Sequence, residues 1–261
     1  MVLALLVLSL ATQSPPDAGA LNAGAVEQAE RDARAAWLSR TLEVSNGEKV
    51  LAAAEAWVAA APKSAPAHVM VAQAAYWLGL RMEVAGAGRE ALERTFARGM
   101  NAGVEAQRLG PELPGGYYWD AVNRAKIAEL KGITSSAWQL PTLQGLIKKV
   151  DALQPGYSWG GTDRYRAVVI TRTPDLLVRM QGKSLADAEE HFRKALKTAP
   201  EFAATKVFWA ELKIRQGDTA AATALLREVL DAPPAADPEV RAWNQHEKAR
   251  ARRMLDTLSK P

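Results

Sequence analysis

Four positions near the C-terminus recur at one fixed distance, and this recurrence limits the fold more than any other feature of the 261-residue chain. Ala188, Phe192, Ala195 and Pro200 return as Ala222, Leu226, Val229 and Pro234, each 34 residues further on. In each set the first three positions lie at helical spacing and share one face, and the proline closes the segment. A small residue beside a large one lets a second helix approach closely while the larger side chain fills the groove. A unit of this length holds two short helices that cannot bury their apolar stripe alone, so neighbouring units must stack.

The 34-residue period is that of tetratricopeptide repeats, and the matched positions fall on the second helix of a repeat. Local chemistry agrees. Ser184 with Asp187 makes a capping-box-like start before Leu185, Asp218 can cap a helix from Thr219, and Gly217 supplies the turn between. Asp237-Pro238 opens a further helix that should run to about Leu258. Its Lys248, Arg250, Arg252 and Arg253 read as the solvated face of a terminal capping helix.

Upstream, apolar residues keep the same spacing of three and four. Val50, Ala54, Trp57 and Ala61 form one stripe and Val71, Ala75, Leu78 and Met82 another, with Pro62 and Pro66 between them. Leu92, Phe96 and Met100, then Trp119, Val122, Ile127 and Leu130, then Leu143, Ile147, Val150 and Leu153 continue the pattern. No run alternates with period two, so the expected fold is all-α, a tetratricopeptide-like α-solenoid of stacked antiparallel helix pairs. Such stacks leave apolar ends that a second copy can cover, so a homo-oligomer fits the pattern.

Residues 26–261 are read as a single helical domain and 1–25 as a truncated signal peptide with linker. The apolar run 1–10 and the small-x-small pattern Ser9-Leu10-Ala11 suit export, although a basic leader is missing. Either the start lies inside a longer signal or the run is an apolar helix start; the small-residue stretch with Pro15-Pro16 favours the former. Net charge is only +4, and no dense basic run interleaves with aromatics, so nucleic acid is not an expected partner. Cysteine is absent, which removes disulfides, thiolate chemistry and a lipid-anchor cysteine from the given sequence.

The middle of the chain carries a more specific order. Gly116-Tyr117-Tyr118-Trp119-Asp120-Ala121-Val122-Asn123 is followed by Gly132-Ile133, then Leu153-Gln154-Pro155-Gly156-Tyr157, then Gly160-Gly161, then the Ala188 to Pro200 stripe. This order resembles the T-component family of TRAP (tripartite ATP-independent periplasmic) transporters over roughly 29–258. The resemblance implies a periplasmic or secreted envelope protein that associates with a TRAP solute-binding protein and helps hand over a hydrophobic or amphipathic organic ligand, a hydrophobic organic acid being one candidate. One departure lies after Arg172-Thr173-Pro174-Asp175-Leu176, where the family's glycine-rich run is reduced to Gln181-Gly182-Lys183.

Candidate reacting groups are few. His68, His191 and His246 are far apart in sequence, and none has zincin or cage spacing. His191 is read as solvent-facing, and Gly115-Gly116 and Gly160-Gly161 as turns between helices. The chain is therefore read as non-enzymatic, with no catalytic residue, metal or cofactor. Aromatics are the more suggestive group. Packing is the default for any one of them, yet their density around 116–161 suits a concave, aromatic-lined ligand site. The expected ligand-binding residues are Trp77, Tyr118, Trp119, Asn123, Trp138, Tyr157 and Trp159, with Asn123 projecting from the helix face of Trp119. Arg124 and Lys126 are candidates to counter an anionic head group. The rival reading is a general tetratricopeptide interaction scaffold of the cell envelope.

Overall fold

The computed structural model describes residues 18–259, apart from the side chains of 18–22 and 133–137, and within them the chain is helical throughout. The apolar run 1–10 and Pro15-Pro16 lie outside the described residues. Helices α1 (Ala18–Leu38), α2 (Val44–Ala60), α3 (Ala65–Val84), α4 (Arg89–Leu109), α5 (Pro114–Lys131) and α6 (Ile133–Leu153) each pack on the next in antiparallel order. Helix α1 thus begins inside the stretch expected to be linker. The second half holds α7 (Tyr157–Arg172), the short α8 (Asp175–Met180), α9 (Leu185–Thr198), α10 (Ala203–Arg215), α11 (Thr219–Asp231) and α12 (Pro238–Leu258). Among the described residues no helix is long and apolar enough to cross a membrane.

The stripes predict the packing faces. Val50, Ala54 and Trp57 are buried, as are Leu143, Ile147 and Val150. The 34-residue motif occupies α9 and α11, where Ala188, Phe192, Ala195, Ala222 and Leu226 are fully enclosed. Caps form where the residue types call for them. The Ser184 N–H donates to Asp187 Oδ2 at 2.7 Å, Ala221 N–H to Asp218 Oδ1 at 2.9 Å, and Glu239 N–H to Asp237 Oδ1 at 2.8 Å. Pro174 stands before the inserted helix α8, which separates α7 from its packing partner α9.

Three expectations about local structure are corrected. Gly115-Gly116 lies inside the first turn of α5, where a Cβ on Gly115 would sit 2.8 Å from Val69 Cγ1. These glycines serve close helix contact, not a turn. Gly160-Gly161 belongs to a left-handed opening of α7: Ser158 (φ 55°, ψ 50°), Trp159 (φ 55°, ψ 53°) and Gly160 (φ 72°, ψ 27°). His191 does not face solvent freely, because its Nδ1 lies 2.7 Å from Asp163 Oδ1 on α7, a contact that lowers the Asp163 carboxyl below its usual range.

The largest difference concerns the concave face. It is not an open trough, because α12 folds back across it onto α1 as well as packing on α10 and α11. The basic residues of α12 divide accordingly. Arg252 and Arg253 are exposed, but Lys248 donates to the Leu230 and Ala232 carbonyls at 3.0 and 2.5 Å, and Arg250 turns inward. A face expected to be uniformly solvated is half committed, because a helix lodged inside a superhelix has neighbours on several sides.

Candidate functional site

An aromatic junction holds α12 in place. The Trp243 ring lies 5.0 Å from Trp77, 6.1 Å from Trp37 and 6.3 Å from both Tyr76 and Trp119. Arg40 enters this group with its guanidinium carbon 3.7 Å from the Trp37 ring centre and 5.0 Å from Trp77. Burial pushes its pKa down to about 10, and the ring faces together with the Trp37 and Glu239 carbonyls, at 2.7 and 3.1 Å, hold the cation. The Glu239 carboxylate accepts from Trp37 Nε1 and Gln73 Nε2, both at 2.9 Å. One residue of α12 thereby ties α1 and α3 together.

His246 sits one turn further along α12. Arg81 Nη1 donates to its Nδ1 at 2.6 Å, so the ring is neutral and its proton lies on Nε2. Burial, reinforced by Arg81, Arg250 and Arg253, drives its pKa from 6.5 to about 3. An unfolded chain takes up a proton that the folded ring refuses, so stability present above pH 6.5 is expected to fall as pH drops towards 3. The slope approaches about 1.4 kcal/mol per pH unit for this one proton. His246→Asn keeps an acceptor near Nδ1 but cannot titrate. Denaturant melts between pH 6.5 and about 5 should show the slope reduced by one proton in that variant, and an unchanged slope refutes the assignment.

Beyond the junction, charged side chains alternate across the inner surface. Lys126 bridges Glu83 at 2.7 Å and Glu129 at 3.0 Å; Arg172 bridges Glu129 at 3.4 Å and Glu211 at 3.1 Å. Arg250 continues the series with Glu211 and, at 3.3 Å, with Glu247. This chain of pairs links α3, α5, α7, α10 and α12, and each member supports the geometry of the next. Glu247 is buried, which raises its pKa despite Arg250. Phe208 lies under Arg250 at 4.2 Å and Arg172 at 5.5 Å, shielding one side of the ladder from water.

Between the junction and the ladder lies a cavity of about 620 Å³, within the range of about 300–1,000 Å³ usual for organic ligand sites. Its apolar wall includes Leu80, Val122, Leu143, Val168, Phe202 and Phe208, with the rings of Tyr76, Tyr118, Trp119, Tyr165 and Trp243. Its polar wall includes Lys126, Glu129, Arg164, Arg172, His246, Glu247 and Arg250. The Tyr165 hydroxyl and the Trp243 indole N–H, which belong to wall residues, are buried without a hydrogen-bond partner among the described residues.

Of the expected ligand-binding residues, Tyr118 and Trp119 stand on this wall. The others do not. Trp77 is fully enclosed in the junction. Asn123 is fully enclosed too, donating from Nδ2 to the Ala72 carbonyl at 3.0 Å and the Trp119 carbonyl at 2.7 Å. It brackets α3 against α5 above Gly99, where a Cβ would lie 2.4 Å from Asn123 Oδ1, so no ligand can reach it. Tyr157 packs behind Tyr118 at 5.4 Å, and Trp159 stacks on Phe202 at 5.0 Å, so both support wall residues from outside. Trp138 is 81% exposed on α6. The cations also part company with expectation. Arg124 pairs with buried Asp120 at 2.9 Å away from the cavity, whereas Lys126 does line it.

Sequence reasoning missed Arg164, Trp243, His246, Glu247 and Arg250. A usable signal existed on α12, since Val240, Trp243, Glu247 and Arg250 follow spacings of three and four and so share one face. A stripe mixing a large aromatic with a Glu-Arg pair suits a helix lodged in a partly polar interior. Arg164 gave no such signal.

Comparison with known proteins gives two findings. A family model described as TRAP transporter T-component matches residues 115–260, more than half of the chain. The matched segment runs from α5 through α12 and carries the whole cavity wall except Tyr76 and Leu80. A thermophilic TPR protein of Thermus thermophilus superposes with a TM-score of 0.54 at 16% identity, over 88% of this chain and 98% of that one. That likeness establishes the tetratricopeptide-type fold. The search of curated proteins gives no match.

Proposed function

Because this chain belongs to the TRAP transporter T-component family, we propose that it acts without catalysis as a periplasmic accessory subunit that encloses an apolar or amphipathic organic ligand and associates with the transporter's solute-binding protein. The observation that carries this reading is the cavity of about 620 Å³ beneath α12, walled by aromatic and aliphatic side chains with an edge of paired charges. Apolar area supplies affinity there and the few polar groups fix orientation. The rival scaffold role fits less well, since α12 already occupies the inner face along which a clasped peptide would run.

For the protein partner, the reading places docking near the cavity edge formed by α6 and α8. Leu140 and Leu177 line the cavity, and the same two helices expose Trp138 at 81%, Leu176 at 64% and Met180 at 74%. Large exposed apolar side chains of this kind are costly in water and suit a covered interface.

One variant separates the two activities. Tryptophan fluorescence of the wild-type protein is expected to change on titration with long-chain amphipaths, because Trp119 and Trp243 line the cavity. Trp138→Asp is expected to keep most of that response while losing retention by the TRAP solute-binding protein in co-purification. A flat fluorescence response across chain lengths refutes ligand enclosure, and undiminished retention refutes the docking edge.

A further inference from the structure

We propose that Tyr165 sets the length of the ligand that the protein accepts, by closing the passage from the cavity described above into a second chamber beside it. This rests on the ligand-enclosure reading and adds the residue that limits ligand size. The second chamber, of about 470 Å³, lies between α6, α7 and α8, and its wall includes Ile147, Ile170 and Val178 with Gln144, Arg166 and Lys183. Five residues line both spaces: Leu140, Tyr165, Val169, Thr173 and Gln181.

The period of α7 makes this division. Arg164, Val168 and Arg172 follow one row at a spacing of four and face the larger cavity, while Arg166 and Ile170 follow another and face the second chamber. Tyr165, Val169 and Thr173 form the row between them, a ridge that both spaces share. Leu140 joins the collar from α6, where Leu143 lines only the larger cavity and Ile147 only the second chamber. Gln181 completes it at the end of α8. Room for the second chamber arises because α6 packs closely on α5 and α7 on α9, while α6 and α7 touch only lightly. The Arg166–Asp151 ion pair bridges these two helices.

Within the collar Tyr165 is the largest side chain and the only ring. Thr173 is tied by its hydroxyl to the Val169 carbonyl at 2.7 Å. The Tyr165 hydroxyl, by contrast, is buried and bonded to nothing among the described residues. A hydroxyl buried in that way costs stability, so the ring acts there through its bulk and not through a hydrogen bond. Beyond it Ile147, Ile170 and Val178 are all buried, so a tail passing the collar would meet apolar side chains already withdrawn from water.

A series of neutral probes that differ only in length tests this. Straight-chain alcohols from hexanol to tetradecanol, below their solubility limits, are titrated into the full chain by calorimetry and tryptophan fluorescence. For the wild type, affinity is expected to rise about fourfold per methylene until the larger cavity is filled and then to level off. Tyr165→Ala should let the rise continue, so that the longest alcohols bind at least about tenfold more tightly than to the wild type while the shortest bind alike. Tyr165→Phe keeps the ring and should keep the wild-type limit. Val122→Ala, on the α5 wall of the larger cavity, should weaken every length alike without moving the limit. Retained binding of the shortest alcohols shows that Tyr165→Ala is folded. Should that variant fail to fold, Tyr165→Leu opens the same passage and should move the limit in the same direction. Wild-type affinity that never levels off, a limit that stays when the ring is removed, or one that moves in Tyr165→Phe or Val122→Ala each overturns the proposal while leaving ligand enclosure standing. Failure of every alcohol to bind refutes ligand enclosure, and this proposal with it.

Discussion

Replacing Trp243 by alanine is expected to cost about 3–5 kcal/mol of stability, the range for truncating a large buried aromatic. The ring is 6% exposed and contacts Trp37, Tyr76, Trp77 and Trp119, which come from three other helices. Nothing nearby can fill the space it leaves without moving α12. For a chain of this size each kcal/mol lowers Tm by about 2–4 °C, so calorimetry should record a fall of roughly 6–20 °C. Amide exchange should accelerate first along α12, whose contact with α1 and α3 the ring mediates. Because the same ring lines the cavity, binding of neutral and anionic amphipaths should weaken together. A loss below about 1 kcal/mol means that the aromatic junction does not hold the terminal helix.

Gly160→Ala is expected to be nearly as damaging despite adding a single methyl group. Its φ of 72° imposes left-handed strain of about 1–2 kcal/mol on any residue with a Cβ. The new Cβ would also lie 2.9 Å from Ala195 Cα and 3.0 Å from its carbonyl oxygen, backbone atoms of α9 that cannot rotate away. Overpacking of this kind adds about 1–3 kcal/mol. Together these predict a loss of about 2–5 kcal/mol by urea denaturation. Gly145→Ala provides the opposite sign, since that glycine is exposed in α6 with nothing within 4 Å of the added group. It should raise stability by up to about 1 kcal/mol through helix propensity alone. If both variants behave alike, close contact between α7 and α9 is not what Gly160 provides.

The helices themselves were legible because each rests on local rules. Ala188 shares a face of α9 with Phe192, Ala222 shares a face of α11 with Leu226, Ser184 and Asp218 serve as cap residues, and neither property depends on distant chain. Within the aromatic-rich segment, Tyr118 and Trp119 line the cavity. Trp77 and Asn123, singled out on the same grounds, fill the interior instead. An asparagine at helical spacing from a tryptophan looks alike whether it faces a ligand or a backbone carbonyl. The difference is the Ala72 carbonyl, which comes from another helix.

By itself the sequence determined the all-helical class, the stacked pairs and the positions of most turns, since spacing, caps and proline act within a few residues. Tertiary structure alone decided that α12 would fold back over the concave face, bringing Trp243 to Trp37 and His246 to Arg81 across most of the chain. It also decided that Lys126, Arg172 and Arg250 would be paired in one ladder with carboxylates from four stretches of chain. Charge partners come from whichever helices the superhelix places side by side, and one chain segment carries no record of its neighbours in space.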